Sequence, residues 1–209
     1  SAEAAQVDAL DERAVEEHIS AVAEKAGGID ISLNAIAIPQ QGVQGIPLIE
    51  LSPESFALPI ETYTRTHFLT TRAAARHMVR KGSGVILTLT ATPARIAASH
   101  VGGMAPAWAA IEALTRSLAA ELGPRGVRAV CLRSDAIPET PNIGVVYGLH
   151  ANALGITREQ FQAFSENMNL LKRLPTLTEV ANVAAFIASD QASAMTAAVA
   201  NLSAGLIPD

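Results

Sequence analysis

Short apolar runs alternate along this chain with longer segments in which apolar residues recur every three or four positions. An uninterrupted apolar run is typical of a strand buried on both faces, and the longer spacing is typical of an amphipathic helix. The alternation therefore predicts βαβ units and a doubly wound α/β fold around a parallel sheet. The predicted strands lie at residues 4–10, 29–35, 85–90, 127–132 and 197–202.

Helix start signals stand before most of the amphipathic segments. They are Asp11, Ser52 followed by Pro53, and the capping boxes that begin at Thr157 and Thr176. The apolar face of the first helix is predicted at Val15, Ile19, Val22 and Ala26. The other predicted helices run from residue 53 to 80, from 104 to 122, and from the two capping boxes, the last ending near residue 189.

One long stretch, residues 133–156, lacks a clear helical period and contains several prolines and glycines. We predict a loop here, and loops of this length are usually functional. Within a single domain spanning residues 1–209, residues 138–156 are a candidate substrate lid. Its apolar side chains would cover a cleft, and they are Val145, Val146, Tyr147 and Leu149.

Composition indicates a compact globule. The 209 residues (21.8 kDa) are 49% hydrophobic and 17% charged, which is too apolar for a disordered chain. A net charge of −5 gives no electrostatic reason to bind nucleic acid or an anionic membrane. No apolar stretch reaches the roughly 18 residues that a membrane span requires. The single cysteine, Cys131, lies in an apolar run, so we expect a buried thiol in a cytoplasmic protein.

Several longer strings resemble the short-chain dehydrogenase/reductase family. They lie at residues 7–11, 28–34, 72–78, 113–128 (ALTRSLAAELGPRGVR) and 179–190. The resemblance runs from the family's third strand to its end and covers nearly the whole sequence. It implies a Rossmann-like sheet and hydride transfer between NAD or NADP and an alcohol or carbonyl group, with no metal. It also implies a homodimer or homotetramer formed through the helices at residues 53–80 and 104–122.

The family's glycine-rich phosphate turn has no counterpart, because Gly-x-x-x-Gly-x-Gly does not occur in the sequence. In the family, the first two strands lie between the third and the fourth. Without them, residues 4–10 would be detached and the strand at residues 29–35 would have an open apolar edge. We therefore expect the sequence to be part of a longer chain, and the alternative is a half-domain that pairs its edge with another chain.

The resemblance also implies a catalytic serine, tyrosine and lysine. Counting back from the ALTRSL string places Met104 at the tyrosine and Trp108 at the lysine, and the serine falls on Ala91. A thioether has no proton to exchange and an indole has no positive charge, so we expect the classical mechanism to be lost. Thr90 and Thr92 flank Ala91, and a shift of one residue would restore a hydroxyl.

Other family positions depart from the pattern in the same direction. The active-site asparagine falls on Tyr63, the Asn-Asn-Ala-Gly string begins at Asn34, and Pro-Gly becomes Ser134-Asp135. Side chains that replace glycines should crowd the nicotinamide pocket. The positions carried over for cofactor binding are Asp8, on the adenine side, and Asn34, and we expect weak binding of NAD or NADP.

Substitute catalytic groups are few. Tyr63 and His67, four residues apart on a helix, are candidates for a hydroxyl–imidazole pair, though such pairs more often lie at a helix interface. His100 lies in a glycine-rich loop and is more often solvated, and Asp135 and Glu139 are loop acids that usually face solvent. No cysteine or carboxylate joins a histidine at metal-ligand spacing, so we expect no metal site.

Three functions stay open at this point. The leading one is a divergent family member that has lost the Ser-Tyr-Lys chemistry and serves as a ligand-binding or partner subunit for a small apolar metabolite. The second is an enzyme with rebuilt non-redox chemistry, such as a lyase, cyclase or isomerase. The third is a conventional NAD(P)-dependent oxidoreductase, which requires a different alignment of the catalytic positions.

Overall fold

A four-stranded parallel sheet forms the centre of the computed structural model, which describes residues 2–208. The strands lie in sequence order across the sheet, with β3 pairing over its whole length with β2. Strand order and direction match the predicted doubly wound fold. Their bounds are β1 Ile31–Asn34, β2 Gly84–Ala91, β3 Val127–Ser134 and β4 Ala198–Leu202.

Helices cover both faces of this sheet. Alternate residues of β2 point to opposite sides: Ile86 packs under α1, α2 and α3, whereas Val85 and Leu87 pack with Ile187 of α6. Both faces are therefore buried, which explains the nearly continuous apolar runs of β2 and β3. The bounds are α1 Glu12–Ala26, α2 Pro53–Lys81, α3 Met104–Leu122, α4 Pro141–Leu154, α5 Arg158–Met168 and α6 Leu177–Ala188.

The predicted caps are confirmed. One carboxylate oxygen of Asp11 accepts hydrogen bonds from the first-turn amides of α1, and the hydroxyl of Ser52 accepts one from the Ser55 amide. Both capping boxes form with reciprocal bonds, Thr157 with Gln160 and Thr176 with Glu179. These local signals need no tertiary context, so the sequence locates the helix starts well.

Two predictions near the start of the chain are wrong. Residues 4–10 form no strand, because no described strand runs beside them and an unpaired strand would leave its backbone groups without ladder partners. On α1, Val22 is 39% exposed and Ala26 is also exposed, while Ala23 is buried. The helix therefore packs through a narrower face than its apolar spacing indicates.

The predicted loop at residues 133–156 is also wrong, since most of it is α4. Pro141 stands at the helix start, where its missing amide costs nothing, and Gly155 ends the helix in the left-handed conformation at φ 66°. Apolar side chains lie on most sides of α4, so it shows no helical period. Tyr147, His150 and Ala151 are its buried residues.

β1 is an edge strand within the described residues, and its side chains Ile31 and Leu33 are each 52% exposed. This agrees with the predicted open apolar edge. Residues 2–208 contain no helix that is both long and apolar enough to cross a membrane. Because all four strands are parallel, the carboxyl ends of β1, β2 and β3 meet at one edge of the sheet, which is where ligands bind in such folds.

Candidate functional site

Three predicted positions lie at the carboxyl ends of neighbouring strands. Asn34 ends β1, Ala91 ends β2, and Ser134 ends β3 directly opposite Ala91 in the sheet register. Helix α3 begins at Met104, after the loop that follows β2. Asn34, Ala91 and Ser134 therefore lie at one edge of the sheet, and their roles as family site positions stay a prediction.

Met104 lies inside an apolar cluster at this edge. Its side chain is 1% exposed and belongs to a buried group with Val43 and Tyr63, while Trp108 is half-buried against the same group. The remaining buried members are Val101, Ala107 and Ile111. Met104 and Trp108, which the resemblance assigns to the family's tyrosine and lysine positions, are therefore part of the packing between α3, α2 and the loop after β1.

The hydroxyls beside Ala91 both have protein partners. Thr90 Oγ1 lies 3.3 Å from Glu112 Oε1 and 3.3 Å from Cys131 Sγ. Thr92 Oγ1 lies 3.4 Å from Asp135 Oδ1. Both threonines are buried, so each hydroxyl interacts with other protein groups rather than with solvent.

The predicted site does not include a buried ion pair between Glu112 of α3 and Arg133 of β3. Arg133 Nε donates to Glu112 Oε1 and Arg133 Nη2 donates to Glu112 Oε2, both at 2.7 Å, and both side chains are buried. This bidentate geometry joins α3 to β3. The sequence signal for this ion pair is Arg133, a charged residue near the end of the most apolar strand. A charged side chain in such a strand requires a buried partner.

Tyr63 and His67 do not form the predicted hydroxyl–imidazole pair. His67 Nδ1 lies 2.8 Å from the Tyr63 carbonyl oxygen, and the two rings stack with centroids 6.0 Å apart. The Tyr63 hydroxyl instead bonds the backbone of Ile38. Burial lowers the pKa of His67 to about 4, so the ring is neutral near pH 7. Among residues 2–208, no partner reaches His67 Nε2.

Asp135 is half-buried, whereas a loop acid usually faces solvent. Its Oδ1 accepts from the Ala136 amide at 2.8 Å and its Oδ2 accepts from Asn169 Nδ2 at 3.0 Å. Burial raises the pKa of Asp135 above its ordinary value, and these hydrogen bonds offset part of that effect. A half-buried acid with a raised pKa at a strand end is a candidate proton donor or acceptor.

His100 and His150 meet at the outer side of the site. Their ring centroids lie 6.5 Å apart in an edge arrangement, and the His150 ring stacks on Phe161 at 5.3 Å. His150 Nε2 lies 3.0 Å from Gln44 Oε1. Burial, and secondarily the charge of His100, lower the pKa of His150 to about 4. His100 is half-buried rather than solvated, and His150 is a buried helical residue rather than a loop residue.

The two positions carried over for cofactor binding have structural partners of their own. Asn34 is buried, and its Nδ2 donates to Thr70 Oγ1 at 2.6 Å. Asp8 is exposed and accepts from the Leu10 amide at 2.9 Å within a turn. Their role in cofactor binding stays a prediction. Within residues 2–208, no three histidine, cysteine, aspartate or glutamate side chains come together as metal ligands.

Comparisons with known proteins identify a family model and several relatives that are similar in sequence to this chain. A family model described as enoyl-(acyl carrier protein) reductase matches residues 1–206. The chain is 31% identical to an enoyl-[acyl-carrier-protein] reductase [NADH] of Rhizobium meliloti, covering 97% of this chain and 70% of that protein. It is 32% identical to a probable 2,4-dienoyl-CoA reductase of Bacillus subtilis, covering 90% and 70% respectively.

Solved structures agree with the sequence comparisons. The sorbitol-6-phosphate 2-dehydrogenase of Erwinia amylovora superposes with a TM-score of 0.90 at 27% identity, covering 97% of this chain and 78% of that one. A xylitol dehydrogenase bound to NAD⁺ superposes with a TM-score of 0.88 at 20% identity, covering 95% and 77%, which is a likeness of fold alone.

Proposed function

Because this chain belongs to the short-chain dehydrogenase/reductase family of oxidoreductases, we propose that it is a divergent member that binds an apolar, acyl-type ligand without the family's hydride transfer. The burial of Met104 at the family's tyrosine position carries the proposal. A group that exchanges a proton must reach the reacting atom, whereas this thioether has no proton and is enclosed by apolar side chains. The protein then acts as a binding or partner subunit.

The strand-end residues fit a nicotinamide cofactor poorly. Trp108 offers no positive charge at the position where the family's lysine holds the nicotinamide ribose. Asp135 adds a side chain where the family has glycine, and its carboxylate already accepts three hydrogen bonds from the protein. Val43 and Tyr63 fill the space beside Met104. NAD or NADP is the cofactor that the family implies, and we expect this chain to bind either one weakly.

The ligand class follows from the relatives and from the character of the site. The relatives are named as enoyl-acyl-carrier-protein and dienoyl-CoA reductases, whose substrates are acyl thioesters. The side chains around Met104 are apolar and suit a hydrocarbon chain. An acyl chain therefore satisfies both observations better than a sugar or a nucleotide.

Two assays on the full-length protein test this function. With NADH or NADPH and a panel of enoyl thioesters, alcohols and carbonyls, we expect no oxidation or reduction above the rate of the protein-free blank. With long-chain acyl-CoA, we expect a saturable rise in melting temperature that coenzyme A alone does not produce, because a ligand that binds only the native state stabilises it. Robust nicotinamide-dependent turnover, or equal shifts with both ligands, would reject the proposal.

Asp135 supports a second candidate function, an enzyme with rebuilt acid–base chemistry. Its burial raises the pKa of the carboxyl group, and Asn169 and the Ala136 amide fix its orientation at the carboxyl end of β3. A lyase or isomerase needs such a proton-transfer group. Asp135→Asn would then abolish turnover of an acyl substrate without loss of acyl binding, whereas unchanged turnover would remove Asp135 from the mechanism.

The assembly that we propose is a homodimer or homotetramer formed through α2 and α3. These helices flank an open groove of about 520 Å³, lined by apolar residues that include Phe68, Leu114 and Leu118 and by charged residues that include Arg76 and Glu121. An apolar strip with both signs of charge at its edges suits pairing with an identical surface across a two-fold axis.

A further inference from the structure

A chain of buried hydrogen bonds ties α4 to the loop that follows β1. Gln40 Nε2 donates to the Ile38 carbonyl at 2.5 Å, and Gln44 Nε2 donates to Gln40 Oε1 at 2.6 Å. His150 Nε2 then donates to Gln44 Oε1 at 3.0 Å. Both glutamines and the histidine are buried, so each bond is made away from water, where a broken bond costs most.

The same loop fills the space beside Met104. Val43, between the two glutamines, is 1% exposed and packs in the cluster with Met104 and Tyr63. The Tyr63 hydroxyl bonds the backbone of Ile38. We term residues 38–45 the plug. The plug packs the apolar side chain of Val43 against Met104, which the resemblance assigns to the family's tyrosine position.

Close backbone contacts hold the plug between two other elements. A Cβ atom at Gly45 would lie 2.9 Å from the Leu149 carbonyl oxygen of α4, and one at Gly102 would lie 2.3 Å from the Val43 carbonyl oxygen. The Gly45 amide donates to the His100 carbonyl at 2.8 Å. Glycines at these positions permit the close approach. The plug thus lies against α4 on one side and the loop before α3 on the other.

We infer that the plug and α4 form a closed gate over the apolar site, and that the bond between His150 and Gln44 is the latch that holds the gate shut. Ligand entry then requires α4 to move away with His150, which frees residues 38–45 to withdraw Val43 from Met104. The identity of the ligand rests on the proposed function, whereas the closure rests only on the contacts of the unliganded chain.

The closed gate favours a neutral His150 ring, although the Nε2–H that donates to Gln44 Oε1 is present in both charge states. The ring faces Gln44 from the plug, His100 from the loop before α3, and Phe161 from α5, and none of these accepts the second proton of an imidazolium in the observed contacts. A positive charge on His150 would also lie close to His100, whose electrostatic effect disfavours it. The closed gate therefore disfavours protonation, and protonation favours opening.

Hydrogen exchange of the unliganded full-length protein tests the latch through a matched pair of substitutions. Gln44→Met removes the acceptor at similar size, so we expect amides of residues 141–154 and 38–45 to exchange at least about tenfold faster while α1 and α6 keep their protection. Gln41→Met changes the same residue type at an exposed position of the plug, and we expect it to exchange as the wild type does. Equal protection in all three proteins would overturn the inference.

A second comparison covers the case in which Gln44→Met does not fold. Lowering the pH from 7 to 5 should increase opening of residues 141–154 in the wild type on the order of tenfold, after correction for intrinsic exchange, because the open state binds a proton more readily. His150→Phe keeps a ring against Phe161 but does not titrate, so its opening should not change with pH. The same pH response in His150→Phe would contradict the latch.

These measurements separate the latch from the ligand proposal. If Gln44→Met opens α4 but acyl-CoA produces no shift in melting temperature, the latch stands and the acyl-binding function fails. If acyl-CoA binds but Gln44→Met leaves exchange unchanged, the latch fails and the function stands.

Discussion

The resemblance assigns Met104 and Trp108 to the family's tyrosine and lysine positions and Asp135 to a family glycine, and all three side chains have contacts within the protein. Met104 packs against Val43 and Tyr63, and Asp135 accepts hydrogen bonds from Asn169 and a backbone amide. Such contacts stabilise the fold but occupy the groups that a substrate would need. On the proposed function, these contacts take the place of the family's reaction chemistry at the strand ends.

The buried pair Glu112–Arg133 gives a prediction at the residue scale. Glu112→Gln puts a neutral amide in place of the buried carboxylate that accepts two hydrogen bonds from Arg133, so we expect the free energy of unfolding to fall by about 3 kcal/mol. Glu121→Gln on the same helix is the control, because that side chain is exposed, and it should cost less than about 0.5 kcal/mol. Urea denaturation measures both, and equal losses would contradict the role of the ion pair.

Two histidines set the pH dependence of stability. Burial lowers the pKa of His67 and of His150 to about 4, below the ordinary value of 6.5. Between these two pH values, the unfolded chain therefore binds protons that the folded chain does not bind. Their contribution is present above pH 6.5 and is lost as the pH falls towards 4. Asp135, with its raised pKa, opposes this trend in part.

We therefore expect the free energy of unfolding to fall between pH 7 and pH 5, as measured by urea denaturation at each pH. His67→Phe should flatten this slope if it folds, and the same experiment on His150→Phe gives an independent estimate of the second contribution. Stability that rises between pH 7 and pH 5 would show that one or both histidines are protonated in the folded protein.

At the scale of elements, the sequence predicts what local chemistry determines. The caps at Asp11, Ser52, Thr157 and Thr176 and the exact bounds of α3 require no knowledge of neighbours. α4 escapes prediction because its apolar residues surround the helix and glycines interrupt it. The hydrogen-bond chain from Gln40 to His150 joins residues more than 100 positions apart, so no local pattern indicates it.

Close packing of α3 against α2 gives a prediction for a pair of glycines. A Cβ atom at Gly103 would lie 1.9 Å from the Phe56 carbonyl oxygen, so Gly103→Ala must push the start of α3 away from α2 and should cost more than about 2 kcal/mol. Gly123 has helical φ and ψ and no heavy atom within 4 Å of its Cβ position, so Gly123→Ala should be neutral or stabilising. Thermal unfolding compares the two, and equal melting temperatures would contradict the contact.

At the scale of the whole molecule, the exposed groove between α2 and α3 predicts association. Phe68 is 47% exposed in the single chain, and Phe68→Glu would place a charge and its mirror copy in a two-fold interface. We expect light scattering at micromolar concentration to show a dimer or tetramer for the wild type and smaller species for Phe68→Glu. Phe164→Glu, on exposed α5, should leave the mass unchanged. A monomeric wild type would reject this assembly.

Trp108 offers the most direct test of the proposed loss of hydride transfer, because it is the chain's single tryptophan and the resemblance assigns it to the family's lysine position. NADH bound in the family's manner would lie beside the indole and quench its fluorescence. We predict no saturable quenching of the full-length protein by NADH or NADPH up to about 1 mM, the upper end of ordinary enzyme affinities, together with a saturable change on adding long-chain acyl-CoA. Saturable quenching by NADH or NADPH at micromolar concentration would contradict a lost cofactor site.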